Sequence, residues 1–258
     1  MSPRACEVLK NVDVIACEDT RVTGILLSQL GITGKRLIAY HEHNKAASGN
    51  GIIDMLKSGL NVAEVSDAGM PAISDPGADL ASLAAVNGIE VSVIPGPSAV
   101  TAALSISGLD TRYFHFEGFL PSEGSKRRDR LKALTLIGET IVLYEAPHRL
   151  KKLLDELADI GFGSCRIALC RELTKKYEEV LRMTVSEAVE YYGSNEPRGE
   201  FCICLEPMEQ KAMVEAGDGT ALIALLKSKG MSSKDIAVVV SEYTGMNKKE
   251  AYKIASES

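Results

Sequence analysis

The chain is 258 residues long, 45% hydrophobic and 25% charged, which is enough to build more than one core. No apolar run approaches the ~20 residues of a membrane helix, which leaves no candidate for a spanning helix. A formal net charge of −6 and a pI near 5.4 argue against a broad electrostatic hold on nucleic acid, whose readers are usually basic.

Ser2 and Pro3 have the chemistry of an N-cap and a first helical turn. Short apolar runs at 12–17, 36–40, 61–66 and 90–94 read as buried strands. Between the last two, 78–87 reads as an amphipathic helix closed by Gly88. After 94, Pro95-Gly96-Pro97 turns the chain into a helix with Ser98 at its N-cap and Val100, Ala103, Leu104 and Ser107 at helical spacing before Gly108. Strands alternating with helices predict a parallel α/β layer, a first domain over 1–110.

The pattern restarts after residue 110. Strands are expected at 113–117, 140–145, 166–172, 178–183 and 199–206, with helices at 126–136, 147–160 and 185–192. These make a second α/β domain over 111–208. A helical module over 209–258 follows, opening on a polar linker that includes Gly217-Asp218-Gly219. Its helices are expected at 220–229, 232–244 and 247–256, with Ser232 or Ser233 capping the middle one. Two of them, joined by Gly245-Met246-Asn247, suggest a helix-turn-helix, a shape that also serves as plain packing. The six cysteines contain no C-x-x-C pair and read as buried or half-buried reduced thiols. No secretory signal pattern is visible, and the cytoplasm is the expected compartment.

Two loops stand out, Ser66-Asp-Ala-Gly-Met-Pro-Ala-Ile-Ser-Asp-Pro-Gly77 and Ile94-Pro-Gly-Pro-Ser98. Each joins a strand-like run to a helix-like run, at the strand end where open parallel sheets bind ligands. Gly69, Gly77 and Gly96 permit close backbone approach, while Pro71, Pro76, Pro95 and Pro97 stiffen the chain. Either loop alone could be a plain tight turn.

These loops, with Cys17-Glu-Asp-Thr-Arg21, Tyr40-His-Glu-His-Asn44, Glu117-Gly-Phe-Leu-Pro121, Tyr144-Glu-Ala-Pro-His-Arg149 and Arg171-Glu-Leu-Thr-Lys175, form seven ordered motifs. Together they resemble the tetrapyrrole methylase family, and within it the bacterial enzymes that methylate a ribose 2′-hydroxyl of small-subunit ribosomal RNA. The resemblance runs over residues 2–258. It implies two α/β domains with S-adenosylmethionine in the cleft between them, a cytidine in 16S ribosomal RNA as acceptor, and a homodimer acting on that RNA or on the small ribosomal subunit. By matching motifs, Asp67, Gly69, Met70, Ile73, Ser98 and Ala99 would line the cofactor, joined by Tyr144, Leu173 and Gly199 from the second domain. For Met70, Ile73 and Leu173, ordinary core packing is the competing role. The family pattern opens with a further strand and a Pro-Ile-Gly-Asn-Leu loop that contributes to the cofactor site. This chain starts at the helix after that loop, which predicts a less complete core and cofactor site.

For catalysis the candidates are Glu18, Asp19, Arg21, His41, Glu42, His43 and Asn44, polar residues that follow strand-like runs and should face one crevice. No single general base is assigned. His41-x-His43 lacks a third ligand at regular spacing, so no metal is expected. Lys126, Arg127, Arg128 and Arg130 cluster with Lys132, either as a solvated helix face or as contacts to RNA phosphates. Arg21 and Arg149 could grip phosphates or pair with Glu18 and Glu145. The RNA-binding set is therefore Lys126, Arg127, Arg128, Arg130 and Arg149. With no Trp and five Phe, base stacking has few partners. Two other readings stay open: methylation of a small, tetrapyrrole-type molecule, and RNA binding without catalysis. Nucleotide hydrolysis is disfavoured, since no G-x-x-x-x-G-K-[ST] run occurs.

Overall fold

The computed structural model describes residues 1–75, 77–208 and 219–257. They fall into two compact units, Met1–Leu134 with Glu139–Glu206, and Thr135–Gly138 with the described part of Pro207–Ser258.

The first unit opens on α1 (Pro3–Asn11). As its sequence predicts, Ser2 Oγ accepts from the Ala5 N–H at 3.2 Å and Pro3 sits in the first turn. Three strands, β1 (Val14–Cys17), β2 (Arg36–Ala39) and β3 (Val62–Val65), pair in parallel in the order β2-β1-β3. The central β1 is buried along its whole length because helices cover both of its faces. Ile15 points into one cluster with Leu9, Val12, Leu27 and Ile32. Its neighbour Ala16 points the opposite way, into Tyr40, Ile52, Ile53, Leu80 and Ala84. The covering helices include α2 (Thr20–Gln29), α3 (Lys45–Lys57) and α4 (Ala78–Val86).

The strand expected at 90–94 does not form. Residues 89–98 are irregular, and Val91 and Val93 lie 58% and 71% exposed. Alternating β-branched residues supply propensity, but a strand exists only through ladder bonds to a neighbour, and among the described residues β3 has no strand on its outer edge. The next helix, α5 (Ala99–Ser107), starts after Ser98 and stops at Gly108 in the left-handed conformation, as expected. Ser98 holds the N-cap position without a side-chain capping bond.

The second sheet contains β4 (Phe114–Phe119), β5 (Thr140–Glu145), β6 (Arg166–Arg171), β7 (Glu179–Thr184) and β8 (Phe201–Leu205) in the order β4-β5-β8-β6-β7. Only β4 and β5 run parallel; the other neighbours are antiparallel. Three helices intervene: α6 (Gly124–Leu134), α7 (Pro147–Leu157) and α8 (Val185–Ser194). In α7, Leu150, Leu153, Leu154 and Leu157 recur on one face and are fully buried, each contributing roughly 1.5–3 kcal/mol of transfer free energy. The straight helix expected to residue 160 stops at Leu157 and gives way to a π-helical turn, because Gly161 adopts φ 107°. A reciprocal capping box between Thr184 and Glu187 starts α8.

Cys170, Cys202 and Cys204 lie in the core between this sheet and α5, and burial pushes the Cys170 and Cys204 thiols up to about 11 and about 12. Five of the six thiols are buried and Cys6 is half-buried, as the composition suggests.

The second unit contains α9 (Gly219–Ser228), α10 (Ser233–Thr244) and α11 (Lys248–Glu257) around Ile223, Ile236, Ala237, Val240, Ala251 and Ala255. Of the two serines, Ser232 caps α10, accepting from the Asp235 N–H at 3.2 Å. Gly217 and Asp218 of the expected linker lie outside the described residues.

Candidate active site

The loop after β3 is held in a costly conformation. Ala72 and Ser74 have φ of 69° and 64°, where a Cβ costs roughly 1–2 kcal/mol per residue. Such residues persist only where their surroundings over-determine them, commonly at ligand sites. Here the surroundings are the other Gly/Pro loop and the second sheet. A Cβ on Gly96 would fall 3.0 Å from the sulfur of Met70, and one on Gly69 would fall 3.7 Å from the carbonyl oxygen of Pro97. A Cβ on Gly118 in β4 would fall 2.9 Å from Ser74 Oγ. The loop therefore touches residue 97 on one side and β4 on the other, with glycine at each close approach.

Across from it, Ala99, Tyr144 and Leu173 pack half-buried against one cluster built from α5, β5, β6 and β8. Cys202 Sγ lies 3.4 Å from the Ala99 carbonyl oxygen. Burial pushes the Tyr144 phenol up to about 12. Gly199, at φ 79°, leaves room for Glu172, whose Oε1 accepts from the Glu200 N–H at 3.0 Å. Glu172 and Thr174 form a second left-handed pair at this edge. Asp67, Gly69 and Ile73 are exposed, Ile73 at 47%, while Met70 and Ser98 are half-buried.

Glu18, His41, Glu42 and His43 line one cavity of about 470 Å³ together with Ser74 and Asp75. Parallel pairing explains the gathering, since β1 and β2 end side by side and deliver Glu18 and His41 to the same edge. The His41 and His43 rings stand edge to face, 6.0 Å apart, and His41 Nδ1 is buried without a hydrogen-bond partner among the described residues. Burial first, and the Glu18 carboxylate second, raise the Asp75 pKa against a hydrogen bond from Ser66. Among the described residues no group of three His, Cys, Asp or Glu side chains could hold a metal ion.

Asp19, Arg21 and Asn44 do local structural work beside the cavity. Asp19 caps α2, accepting from the Arg21 N–H at 2.8 Å, and takes up the Arg21 guanidinium at 2.7 Å. Asn44 clamps the turn after β2, accepting from the His41 N–H at 2.8 Å and donating to the Ala39 carbonyl at 3.0 Å.

The basic cluster divides. Arg127 is 2% exposed, binds the Glu156 carboxylate at 2.6 Å and donates to the Pro121 carbonyl, which leaves it no reach to a phosphate. Arg149 also turns inward: its Nη2 donates to the Leu120 carbonyl, and its Nε lies 2.9 Å from Glu145 Oε1, too poorly aligned for a hydrogen bond. Amphipathic counting missed this because α6 needs an inward cation to meet the buried Glu145. Arg130 pairs with Glu117 from a half-exposed position, while Lys126 and Arg128 are exposed and make no ion pair among the described residues.

The sequence reading gave no role to Ser74, Asp75 or Glu64. The first two stand inside a quoted motif. Glu64 is an acid in an apolar strand, which is itself a signal.

Residues 1–189 match the sequence profile of the Tetrapyrrole (Corrin/Porphyrin) Methylases. The chain belongs to that family. Among these methylases it stands with proteins named Ribosomal RNA small subunit methyltransferase I. That of Halalkalibacterium halodurans is 43% identical over 97% of this chain and 88% of its own, and that of Bacillus subtilis 42% over 98% and 88%. That of Escherichia coli O157:H7 is 38% identical over 100% and 90%. Solved methylase structures share the fold at low identity. Diphthine synthase superposes with a TM-score of 0.63 at 14% identity, covering 80% of this chain and 84% of its own. Uroporphyrin-III C-methyl transferase from Thermus thermophilus, complexed with S-adenyl homocysteine, gives 0.55 at 17%, covering 80% and 90%.

Proposed function

We propose that this chain transfers a methyl group from S-adenosylmethionine to the ribose 2′-hydroxyl of a cytidine in small-subunit ribosomal RNA, as a cytoplasmic homodimer. One observation carries the reading: the polar cavity shares Ser74 and Asp75 with the strained loop, so an acceptor pocket and a cofactor loop are one construction. The relatives' shared name supports the RNA acceptor.

The residues present suit an adenosyl group. Gly96 lets the side chain of Met70 pack against the second loop, which draws the two loops together, and Ala99, Tyr144 and Leu173 supply an apolar wall. In this reading Asp67, Gly69, Met70, Ile73, Ser98 and Ala99 hold one side, and Tyr144, Leu173 and Gly199 the other. When bound, S-adenosylmethionine supplies an electrophilic methyl on its sulfonium.

The protein's task is to fix the ribose hydroxyl in line, which converts a collision into an oriented step. Glu18, His41, Glu42, His43 and Asp75 surround that hydroxyl, and one of these bases takes its proton. Asp19, Arg21 and Asn44 act by shaping the two loops. Lys126, Arg128 and Arg130 meet phosphates, while Arg127 and Arg149 hold the platform beneath them.

The test is methyl transfer from labelled S-adenosylmethionine to small subunits, to free small-subunit RNA and to a tetrapyrrole, followed by nucleoside digestion. The expected product is 2′-O-methylcytidine. Label confined to the tetrapyrrole, or to a nucleobase, would overturn the assignment.

A further inference from the structure

The second sheet aims an aromatic ring at the candidate site. In an unbroken strand Phe116 and Phe119, three residues apart, would face opposite sides. They do not, because the β4–β5 register slips between Phe116 and Gly118: Phe116 stands opposite Val142 and Phe119 opposite Tyr144. Both rings then flank Tyr144, with centroids 5.2 and 5.4 Å from it. Phe116 is half-buried, but Phe119, at the end of the row, is 54% exposed.

The surroundings of Phe119 specify what could lie on it. Its neighbour Gly118 touches Ser74, which lines the polar cavity. On the other side, α6 is tied down by Arg130 Nε donating to Glu117 Oε1 at 2.8 Å and by Arg127 Nη1 donating to the Pro121 carbonyl at 2.9 Å. That anchors a helix with exposed Lys126 and Arg128 to the strand and loop that carry the ring. An exposed aromatic face beside a polar pocket, on a strand that also anchors a helix with cations unpaired among the described residues, matches the needs of a single-stranded nucleotide, stacking for the base and positive charge for the phosphates.

We propose that Phe119 is the stacking platform for an unpaired base of the RNA substrate, a positioning residue that sets the acceptor nucleotide against the cavity. The inference deepens the reading of the site as an RNA methyltransferase and rests on it for the substrate class.

The chain contains no tryptophan, so Phe119→Trp introduces a sole tryptophan at the platform, which can be excited selectively over the eight tyrosines. Titration of this variant with a short single-stranded RNA is expected to quench its emission, and the same RNA with its bases removed is expected not to. Phe119→Ala is expected to weaken that RNA about five- to a hundredfold, with S-adenosylmethionine affinity unchanged, cooperative unfolding retained at a slightly lower midpoint, and Phe119→Tyr restoring binding. Equal quenching by abasic RNA, or quenching by S-adenosylmethionine alone with no further change on adding RNA, would overturn the platform. RNA-dependent quenching in a chain that methylates no RNA would retain the platform and remove the methyltransferase reading. Normal methylation of RNA by Phe119→Ala at an unchanged KM would do the reverse.

Discussion

The Glu64 carboxylate occupies the space that a side chain at Gly77 would need. A Cβ built on Gly77 would fall 2.5 Å from Glu64 Oε1 and 3.0 Å from the Ala72 backbone nitrogen, at a φ of 138°. A strand residue, a loop residue and a helix N-terminus thus share one site, and each constrains the others.

Gly77→Ala is therefore expected to destabilise the first unit by about 1–3 kcal/mol through backbone strain alone, and to weaken S-adenosylmethionine binding through displacement of Ala72. Urea unfolding with parallel calorimetry measures both. An unchanged midpoint would show that the loop relaxes around the methyl group.

Burial holds the Glu64 pKa up to about 7, against an ordinary value of 4.5. The folded state therefore prefers the protonated acid. Its contribution is fully present below about 4.5 and is lost as pH rises through about 7. Partial exposure limits the loss to roughly 1–2 kcal/mol. Glu64→Gln is expected to match the parent near pH 4.5 and to exceed it in stability above pH 7. Unfolding curves across that range decide it, and parallel profiles would remove Glu64 as the titrating group.

The divided basic cluster gives opposite expectations for adjacent residues. Arg127→Met leaves Glu145 and Glu156 without their shared cation, at an expected cost of about 3–5 kcal/mol of stability. Lys126→Ala and Arg128→Ala should leave stability unchanged, weaken RNA binding, and each lower the salt slope by about one. Filter binding at several salt concentrations, beside unfolding, separates the two classes. A stable Arg127→Met chain with weakened RNA binding would return Arg127 to the surface role.

Tyr144→Ala removes the ring against which Phe116 and Phe119 pack, together with part of the half-buried wall. Loss of aromatic contact predicts roughly tenfold weaker S-adenosylmethionine binding, with Tyr144→Phe close to the parent. Calorimetric titration checks it, and equal loss in both variants would assign the effect to the hydroxyl.

The parallel sheet of the first unit was readable because β1 is covered on both faces and carries an unbroken apolar run. The helix ends were readable from Ser2, Gly108 and Ser232, whose local chemistry acts within a turn. What misled was whatever depends on a distant partner. Val91 and Val93 carry strand propensity but have no ladder. Arg127 carries surface charge but meets Glu156, 29 residues away. Phe119 was hidden because a one-residue register slip, invisible in alternation, decides which way its ring points.

The six cysteines also make the molecule a reporter of its own opening. Cys17, Cys165, Cys170, Cys202 and Cys204 are buried, and only Cys6 is within partial reach of solvent. A thiol-directed reagent applied to the native chain meets one slow target, and every label on a strand cysteine marks a moment when a sheet has parted. Because Cys17 sits in the first sheet and Cys170, Cys202 and Cys204 in the second, peptide mapping of the labels would time the two sheets separately.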